Sequence, residues 1–133
     1  MCWSMDKPTL LIIDDEPVVR FAIQKYFNGR GYCASCADEL EEAEALLSVS
    51  RFDVVIADLK LGSARGNEGL EILGFVRERC PHTSLVLLTA YGNEEVRRAA
   101  EELHADAFLH KPIPLEDLEN LVVRLYAKGK DLQ

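Results

Sequence analysis

Carboxylates follow two apolar runs of the sequence, at the points where those runs end. Asp14 and Asp15 come directly after residues 9–13, and Asp58 comes directly after residues 54–57. A carboxylate is costly to bury unpaired, but at the carboxyl end of a strand it can face a cleft. Open α/β sheets place their ligands at that edge. Asp58, at the end of the more central run, is therefore the candidate for the reactive residue.

Two further polar side chains follow later apolar runs, namely Thr89 and Lys111. Three carboxylates that lie close together repel one another unless a cation balances them, and an all-oxygen set of ligands suits Mg²⁺. The Thr89 hydroxyl and the Lys111 ammonium are the donors that a phosphoryl group needs. Because an aspartate can act as a nucleophile and form an acyl phosphate, these side chains are sufficient to accept one phosphoryl group.

Short apolar runs alternate with helical periodicity along the whole chain. Strands are predicted at residues 9–13, 32–37, 54–57, 84–88 and 107–109, and helices at residues 17 to 29, 39–48, 68–79, 93 to 103 and 115 to 125. Such alternation predicts an α/β fold with a parallel sheet between helices. Right-handed crossovers favour a three-layer, flavodoxin-like (βα)5 sandwich with strand order 2-1-3-4-5. Strands 1 and 3 are then neighbours, which would bring the acids together.

Length and charge limit the classes of protein to which this chain can belong. The 133 residues fit one domain at residues 9–127, with a lead-in at 1–8 and a tail at 128–133. The formal net charge of -8 argues against direct nucleic-acid binding, which needs clustered Lys and Arg. The apolar runs are far shorter than the ~20 residues that span a bilayer. The N-terminus lacks the features of a signal peptide, so we expect no membrane contact and a cytoplasmic location.

Cys33 and Cys36 form a CxxC pair, which raises the alternatives of a redox site and a zinc site. However, they lie in a predicted strand, where residues three apart point to opposite faces. No second pair of zinc ligands with suitable spacing follows in the sequence. We therefore expect no disulfide between these two cysteines and no zinc site built on them.

Four segments in order resemble those of the response-regulator receiver domains of two-component signalling. They are Leu-Ile-Ile-Asp-Asp-Glu-Pro at residues 11–17, Asp-Val-Val-Ile-Ala-Asp-Leu at 53–59, Leu-Leu-Thr-Ala-Tyr-Gly at 87–92, and Ala-Asp-Ala-Phe-Leu-His-Lys-Pro at 105–112. The resemblance extends from about residue 9 to about residue 126. It implies that Asp58 is the phosphoacceptor and that Asp15 and Asp58 bind Mg²⁺ directly. Asp14 would act through water, and the Lys60 carbonyl would complete the ligands from the protein.

The resemblance also implies roles for residues of the last two segments. Thr89 and Lys111 would hold the phosphoryl oxygens, Phe108 fills the position of the family's switch aromatic, and the bond before Pro112 would be cis. One departure is the loop at residues 62–69: similar receivers carry proline where Gly62 stands, and the loop is about three residues longer than the usual pattern. We expect this loop to follow a different path from that in similar receivers and to change the access of a kinase or phosphatase. The acidic positions are intact.

The function that the resemblance implies is a phosphorylatable switch. A histidine kinase or a phosphotransfer protein would donate the phosphoryl group of a phosphohistidine to Asp58. The domain would catalyse its own phosphorylation and slow dephosphorylation, and would present helix four, strand five and helix five to a downstream effector as a monomer or weak dimer. One alternative is a pseudo-receiver that binds partners without phosphorylation, against which the complete acidic set argues. Another is an aspartyl-phosphate phosphohydrolase, which needs an acid where Lys60 stands.

Overall fold

The computed structural model describes residues 7–58, 68–89, 94–102 and 104–131. Its strands are β1 (Thr9–Ile13), β2 (Cys33–Ala37), β3 (Val54–Asp58), β4 (Ser84–Thr89) and β5 (Ala107–His110). Its helices are α1 (Pro17–Gly29), α2 (Leu40–Val49), α3 (Glu68–Arg79), α4 (Glu94–Glu102) and α5 (Leu115–Asp131). All ten predicted elements are present, and most ends lie within one residue of the prediction. The main exception is α5, which continues beyond residue 125 to Asp131.

The five strands form one parallel sheet in the order β2-β1-β3-β4-β5, which confirms the predicted fold class. The register explains how the acids meet. Ile13 at the end of β1 pairs with Ala57 of β3. Asp14 and Asp58 each follow one of these paired residues, so they lie side by side at the carboxyl edge of the sheet.

The sheet separates two apolar cores, and the alternation along β1 shows how. Leu10 and Ile12 pack with residues of α1 and α5, whereas Leu11 and Ile13 pack with residues of α2 and α3. A parallel strand covered on both faces has to be apolar throughout, and every residue of β3 is buried. Asp58 is therefore a buried charged residue whose chemistry depends on what it meets at the sheet edge.

A buried carboxylate joins α5 to α1. Glu119 of α5 accepts hydrogen bonds from the Tyr26 hydroxyl at 2.8 Å and the Tyr32 hydroxyl at 3.0 Å. Its Oε1 also lies 2.6 Å from Nε of Arg30. Burial alone would raise the pKa of Glu119, but the hydrogen bonds from Arg30, Tyr26 and Tyr32 outweigh that effect and lower the pKa. Burial and the bond to Glu119 raise the pKa of Tyr32 to about 12.

Cys36 is a free thiol, so the predicted absence of a bridge between Cys33 and Cys36 is confirmed. Burial raises the pKa of the Cys36 thiol, which keeps it protonated and a poor metal ligand.

The peptide bond between Lys111 and Pro112 is cis, as the resemblance implied. None of the helices among the described residues combines the length and the apolar character that crossing a membrane requires. The cytoplasmic location and the domain boundaries stay predictions.

Candidate functional site

Asp14 is held at the end of β1 through all four of its polar groups. Its backbone N–H donates to the carbonyl of Ala37 at 3.1 Å, and its own carbonyl accepts from the Arg20 guanidinium at 2.9 Å. Its Oδ1 accepts from the backbone N–H of Glu16 at 2.9 Å, and its Oδ2 accepts from Lys111 at 3.1 Å. Asp14 is only 2 % exposed. This carboxylate is therefore fixed by its surroundings.

Asp58 ends the central strand β3 with only 5 % of its surface exposed. Its register partner on β4 is Leu88, so Thr89 lies one residue further along the adjacent strand. The Asp58 carboxylate accepts a hydrogen bond from Nζ of Lys111 at 3.1 Å. A buried carboxylate that keeps its charge needs such a partner, and the ammonium provides one.

Lys111 reaches both acids because its backbone is anchored at the same sheet edge. Its N–H donates to the carbonyl of Thr89 at 2.7 Å, which fixes the turn that follows β5. Burial by itself would lower the pKa of Lys111, but the hydrogen bonds to Asp58 and Asp14 outweigh it, and the pKa is raised. The side chain is therefore an ammonium at neutral pH and neutralises part of the acidic cluster.

Four carboxylates form this acidic cluster, namely Asp14, Asp15, Glu16 and Asp58. One oxygen from each lies within 4.8 Å of the others. Asp14 and Asp58 are buried, whereas Asp15 and Glu16 are exposed. Like charges at this separation repel one another, so the cluster favours a cation. The donors are all carboxylate oxygens, which fit a hard ion such as Mg²⁺ better than zinc, for which Cys and His are the usual ligands.

The two residues of the predicted switch lie on adjacent strands at this edge. Thr89 is buried at the end of β4. Phe108 of β5 is half-buried, pairs in register with Leu87, and packs against the core that includes α2 and α3. Its ring meets that of His110 edge-on, with the ring centroids 5.9 Å apart. Phe108 therefore lies between the apolar core and the surface.

The arrangement of these side chains resembles that of a known family, and comparison with family models shows which family it is. A family model described as the response regulator receiver domain matches residues 10–123. The chain belongs to this family. Receiver domains generally use Mg²⁺ in their acidic pocket, and response regulators in general work with histidine kinases and downstream effectors. The alternative of a pseudo-receiver is not supported.

Individual relatives agree with this assignment. The receiver is 32% identical over 127 residues to the photosynthetic apparatus regulatory protein RegA of Cereibacter sphaeroides, covering 96% of this chain and 65% of that protein. It is 30% identical over 118 residues to the response regulator protein PilR of Pseudomonas aeruginosa, covering 89% of this chain and 26% of that protein. The chain thus spans less than two thirds of either relative.

The fold agrees with that of solved receivers. A CheY-like response regulator receiver domain protein from Methanospirillum hungatei superposes with a TM-score of 0.89 at 22% identity, covering 96% of this chain and 99% of that chain. This likeness supports the three-layer architecture and the strand order. The chemistry of the receiver has to be argued from its own side chains.

The structure brings together most of the residues that the sequence singled out. Asp14, Asp15, Asp58 and Lys111 meet at one edge, while Thr89 and Phe108 lie on the adjacent strands. Lys60 with its carbonyl, most of the long loop at residues 62–69, and Asn93 at the predicted start of helix four lie outside the described residues. His82, His104 and His110 are exposed.

Sequence reasoning missed two residues of the site. Glu16 joins the acidic cluster, and its position directly after Asp15 was a signal that could have identified it. Arg20 binds the backbone carbonyl of Asp14, a contact for which the sequence carries no pattern. Helical periodicity places Arg20 beside the apolar face of α1. It does not indicate that the side chain extends beyond the N-terminus of the helix to the carbonyl of Asp14.

Proposed function

We propose that this receiver accepts a phosphoryl group on Asp58 and acts as a switch in two-component signalling. One observation carries the proposal. Asp58 is a buried carboxylate at the end of the central strand, hydrogen-bonded to Lys111 and surrounded by three further carboxylates. A nucleophile, a fixed cation and a set of metal ligands are the parts that phosphoryl transfer to an aspartate requires.

The acidic cluster fits Mg²⁺. Asp15 and Asp58 would bind it directly, Asp14 would act through water, and the Lys60 carbonyl would complete the ligands from the protein. Once bound, the ion neutralises charge on the phosphoryl oxygens. Asp15 is exposed, as suits a ligand for an ion that keeps several of its waters.

The transfer needs no acid or base beyond these groups. A carboxylate oxygen of Asp58 attacks the phosphorus of a phosphohistidine, the phosphorus–oxygen bond forms, and the phosphorus–nitrogen bond breaks. The imidazole nitrogen of the donor leaves with the bonding electron pair, and the proton carried by the other ring nitrogen makes the departing imidazole neutral. The switch is slowly reset by hydrolysis. Water attacks the phosphorus of the acyl phosphate and releases inorganic phosphate, which regenerates the Asp58 carboxylate. Positioning and electrostatics supply the catalysis.

Lys111 and Thr89 would hold the oxygens of the transferred group. The Lys111 ammonium already lies 3.1 Å from Oδ2 of Asp58, so a short movement would let it bind a phosphoryl oxygen. The Thr89 hydroxyl is a neutral donor that gains a charged acceptor when Asp58 is phosphorylated. Movement of Thr89 toward Asp58 leaves space that Phe108 can fill, which would alter the surface of α4, β5 and α5. That surface is where a downstream effector would detect the switch.

The donor protein has an apolar surface available beside the site. Helix α1 begins two residues after Asp15, and its Val18 and Phe21 are 81 % and 63 % exposed. An exposed apolar patch next to a reactive residue is typical of a protein contact, and aromatic side chains are enriched at such interfaces. We propose that the domain carrying the phosphohistidine binds over this end of α1, which would place its imidazole near Asp58.

Phosphorylation of the intact chain by a small phosphodonor tests the proposal. The protein is incubated with Mg²⁺ and acetyl phosphate, and the added mass is located by peptide mapping. We expect one phosphoryl group on Asp58 and none on the Asp58→Asn variant. Asp38→Asn is the matched control, because Asp38 is an exposed aspartate at the carboxyl end of another strand, β2. Label that persists unchanged in Asp58→Asn would mean that another residue is the phosphoacceptor.

A further inference from the structure

We infer that Arg20 is a positioning residue for the metal ligands of the acidic cluster, an inference that rests on the proposed function. Its guanidinium donates to the backbone carbonyl of Asp14 at 2.9 Å, and the first intrahelical bond of α1, from the Arg20 N–H to the Glu16 carbonyl at 3.0 Å, ties the base of this side chain to the end of the same turn. The two contacts enclose the turn at residues 14–16, which carries three of the four carboxylates. Arg20 therefore fixes the backbone from which Asp15 leaves.

Little else from α1 holds this turn. Glu16 at the start of α1 makes no side-chain capping bond, and the first turn of the helix contains no acidic residue. The Asp14 carboxylate accepts from the Glu16 N–H, but that bond acts within the turn itself. The bond from Arg20 ties the Asp14 backbone to α1, a helix that packs on the sheet, whereas Ala37 and Lys111 hold Asp14 from other parts of the chain.

The location of Arg20 is unfavourable for a cation by itself. It is the fourth residue of α1, close to the positive end of the helix macrodipole, where acidic side chains are the favoured ones. It is also half-buried, which costs a guanidinium part of its hydration. The bond to Asp14 and the nearby carboxylates compensate for these costs. Among the groups beside it are Asp38 and Glu42, which line the same groove as Arg20.

Two effects of Arg20 on a bound Mg²⁺ have opposite signs, and this makes the inference testable. A positive charge near a cation site weakens binding through Coulomb repulsion, so its removal alone would tighten Mg²⁺ binding. A group that holds a metal ligand in place strengthens binding, and loss of such a group typically weakens it 10–100-fold. We expect the second effect to dominate, because the guanidinium contacts the backbone of the ligand turn directly.

The test measures the Kd for Mg²⁺ on the intact chain by calorimetry or by amide chemical shifts. We expect Arg20→Ala to raise the Kd about tenfold, and Arg20→Lys to recover part of the loss. Lys25→Ala is the matched control, since it removes a positive charge from the same helix and the same groove without a contact to Asp14. Its Kd should stay the same or fall. Asp15→Asn shows the loss expected when a ligand itself is changed.

The outcomes are distinct. A Kd in Arg20→Ala that equals or falls below that of the wild type overturns the inference. If Arg20→Ala does not fold, the same comparison for Arg20→Lys decides, with an unchanged Kd counting against the positioning role. At saturating Mg²⁺ the rate of phosphorylation by acetyl phosphate should recover in Arg20→Ala, because only metal affinity is affected. A wild type that binds Mg²⁺ but is never phosphorylated on Asp58 contradicts the proposed function and leaves this inference standing.

Discussion

The ammonium of Lys111 lies 3.1 Å from Oδ2 of Asp58, a residue 53 positions earlier in the chain. The same nitrogen lies 3.1 Å from Oδ2 of Asp14. One cation thus links the ends of β1 and β3 through their buried carboxylates. Since the candidate phosphoacceptor and a candidate metal ligand share this partner, removal of Lys111 should affect both the stability and the chemistry of the receiver.

Lys111→Met should lower the free energy of unfolding by about 1–3 kcal/mol at neutral pH. The estimate lies below the ~3–5 kcal/mol for breaking a fully buried pair, because the site opens toward solvent. Mg²⁺ should restore part of the loss, since a bound cation replaces the ammonium beside the acids. Urea unfolding with and without Mg²⁺ measures both effects. Lys128→Met, on the exposed part of α5, is the control.

The pH dependence of this contribution follows from the raised pKa of Lys111. A group whose pKa is higher in the folded state stabilises fully below its unfolded pKa, here about 10.4. The contribution is lost only as the pH rises through the folded pKa. The stability difference between wild type and Lys111→Met should therefore be constant around neutral pH. A difference that already shrinks below about pH 9 would contradict the charged pairing.

Thr89 and Phe108 should transmit the phosphorylated state. A charge-assisted hydrogen bond from Thr89 is worth ~1.5–3 kcal/mol, enough to shift two conformations that differ by a few kcal/mol. Beryllofluoride, a mimic of the phosphoryl group, should shift amide signals across α4 and β5 in the wild type. Thr89→Ala should still bind the mimic but show smaller remote shifts. If the remote shifts survive this substitution unchanged, the switch uses another route.

Substitution of Val18 or Phe21 should slow phosphotransfer from a protein donor. With a phosphotransfer protein that labels the wild type, Phe21→Ala or Val18→Asp should reduce the transfer rate about tenfold, as expected when an interface residue worth more than ~1 kcal/mol is lost. Labelling by acetyl phosphate should be unaffected, because it needs no docking. Val49→Asp changes an equally exposed valine on α2 and should transfer normally. Equal slowing with both donors would show damage to the site instead.

Glu119 should stabilise the receiver only while its carboxyl is ionised. Its pKa is lower in the folded state, so its contribution is present above the unfolded pKa of about 4.3 and is lost as the pH falls through the folded pKa. Glu119→Gln should lower the free energy of unfolding by about 1–3 kcal/mol at pH 7, and the difference should shrink as the pH falls below the unfolded pKa. Urea unfolding across this range is the measurement.

A matched variant separates the Glu119 effect from general acid destabilisation. Glu116→Gln changes an exposed glutamate in the first turn of the same helix, and its effect on the free energy of unfolding should be small. A Glu119→Gln difference that stays constant while the protein is acidified until it unfolds would mean that the hydrogen bonds do not depend on the charge.

The sequence by itself determined the order of the elements and the position of the candidate site. Unbroken apolar runs such as residues 54–57 marked the strands, because a strand buried on both faces tolerates few polar residues. Handedness then limited the topology, and the register Ile13 to Ala57 brings Asp14 beside Asp58 as predicted. These features follow from local pattern and general rules of chain geometry, which is why they could be inferred before any coordinates.

Only the tertiary structure decided which side chains support the site. The bond from Arg20 to Asp14 depends on how a long side chain turns back along α1. The contacts of Glu119 join it to Tyr26 and Tyr32, 93 and 87 positions earlier in the chain. Such contacts depend on how two helices pack against the same sheet, and each buried polar group requires a partner there. Sequence periodicity assigns a residue to a face of its helix, whereas its partner is fixed only when the elements meet.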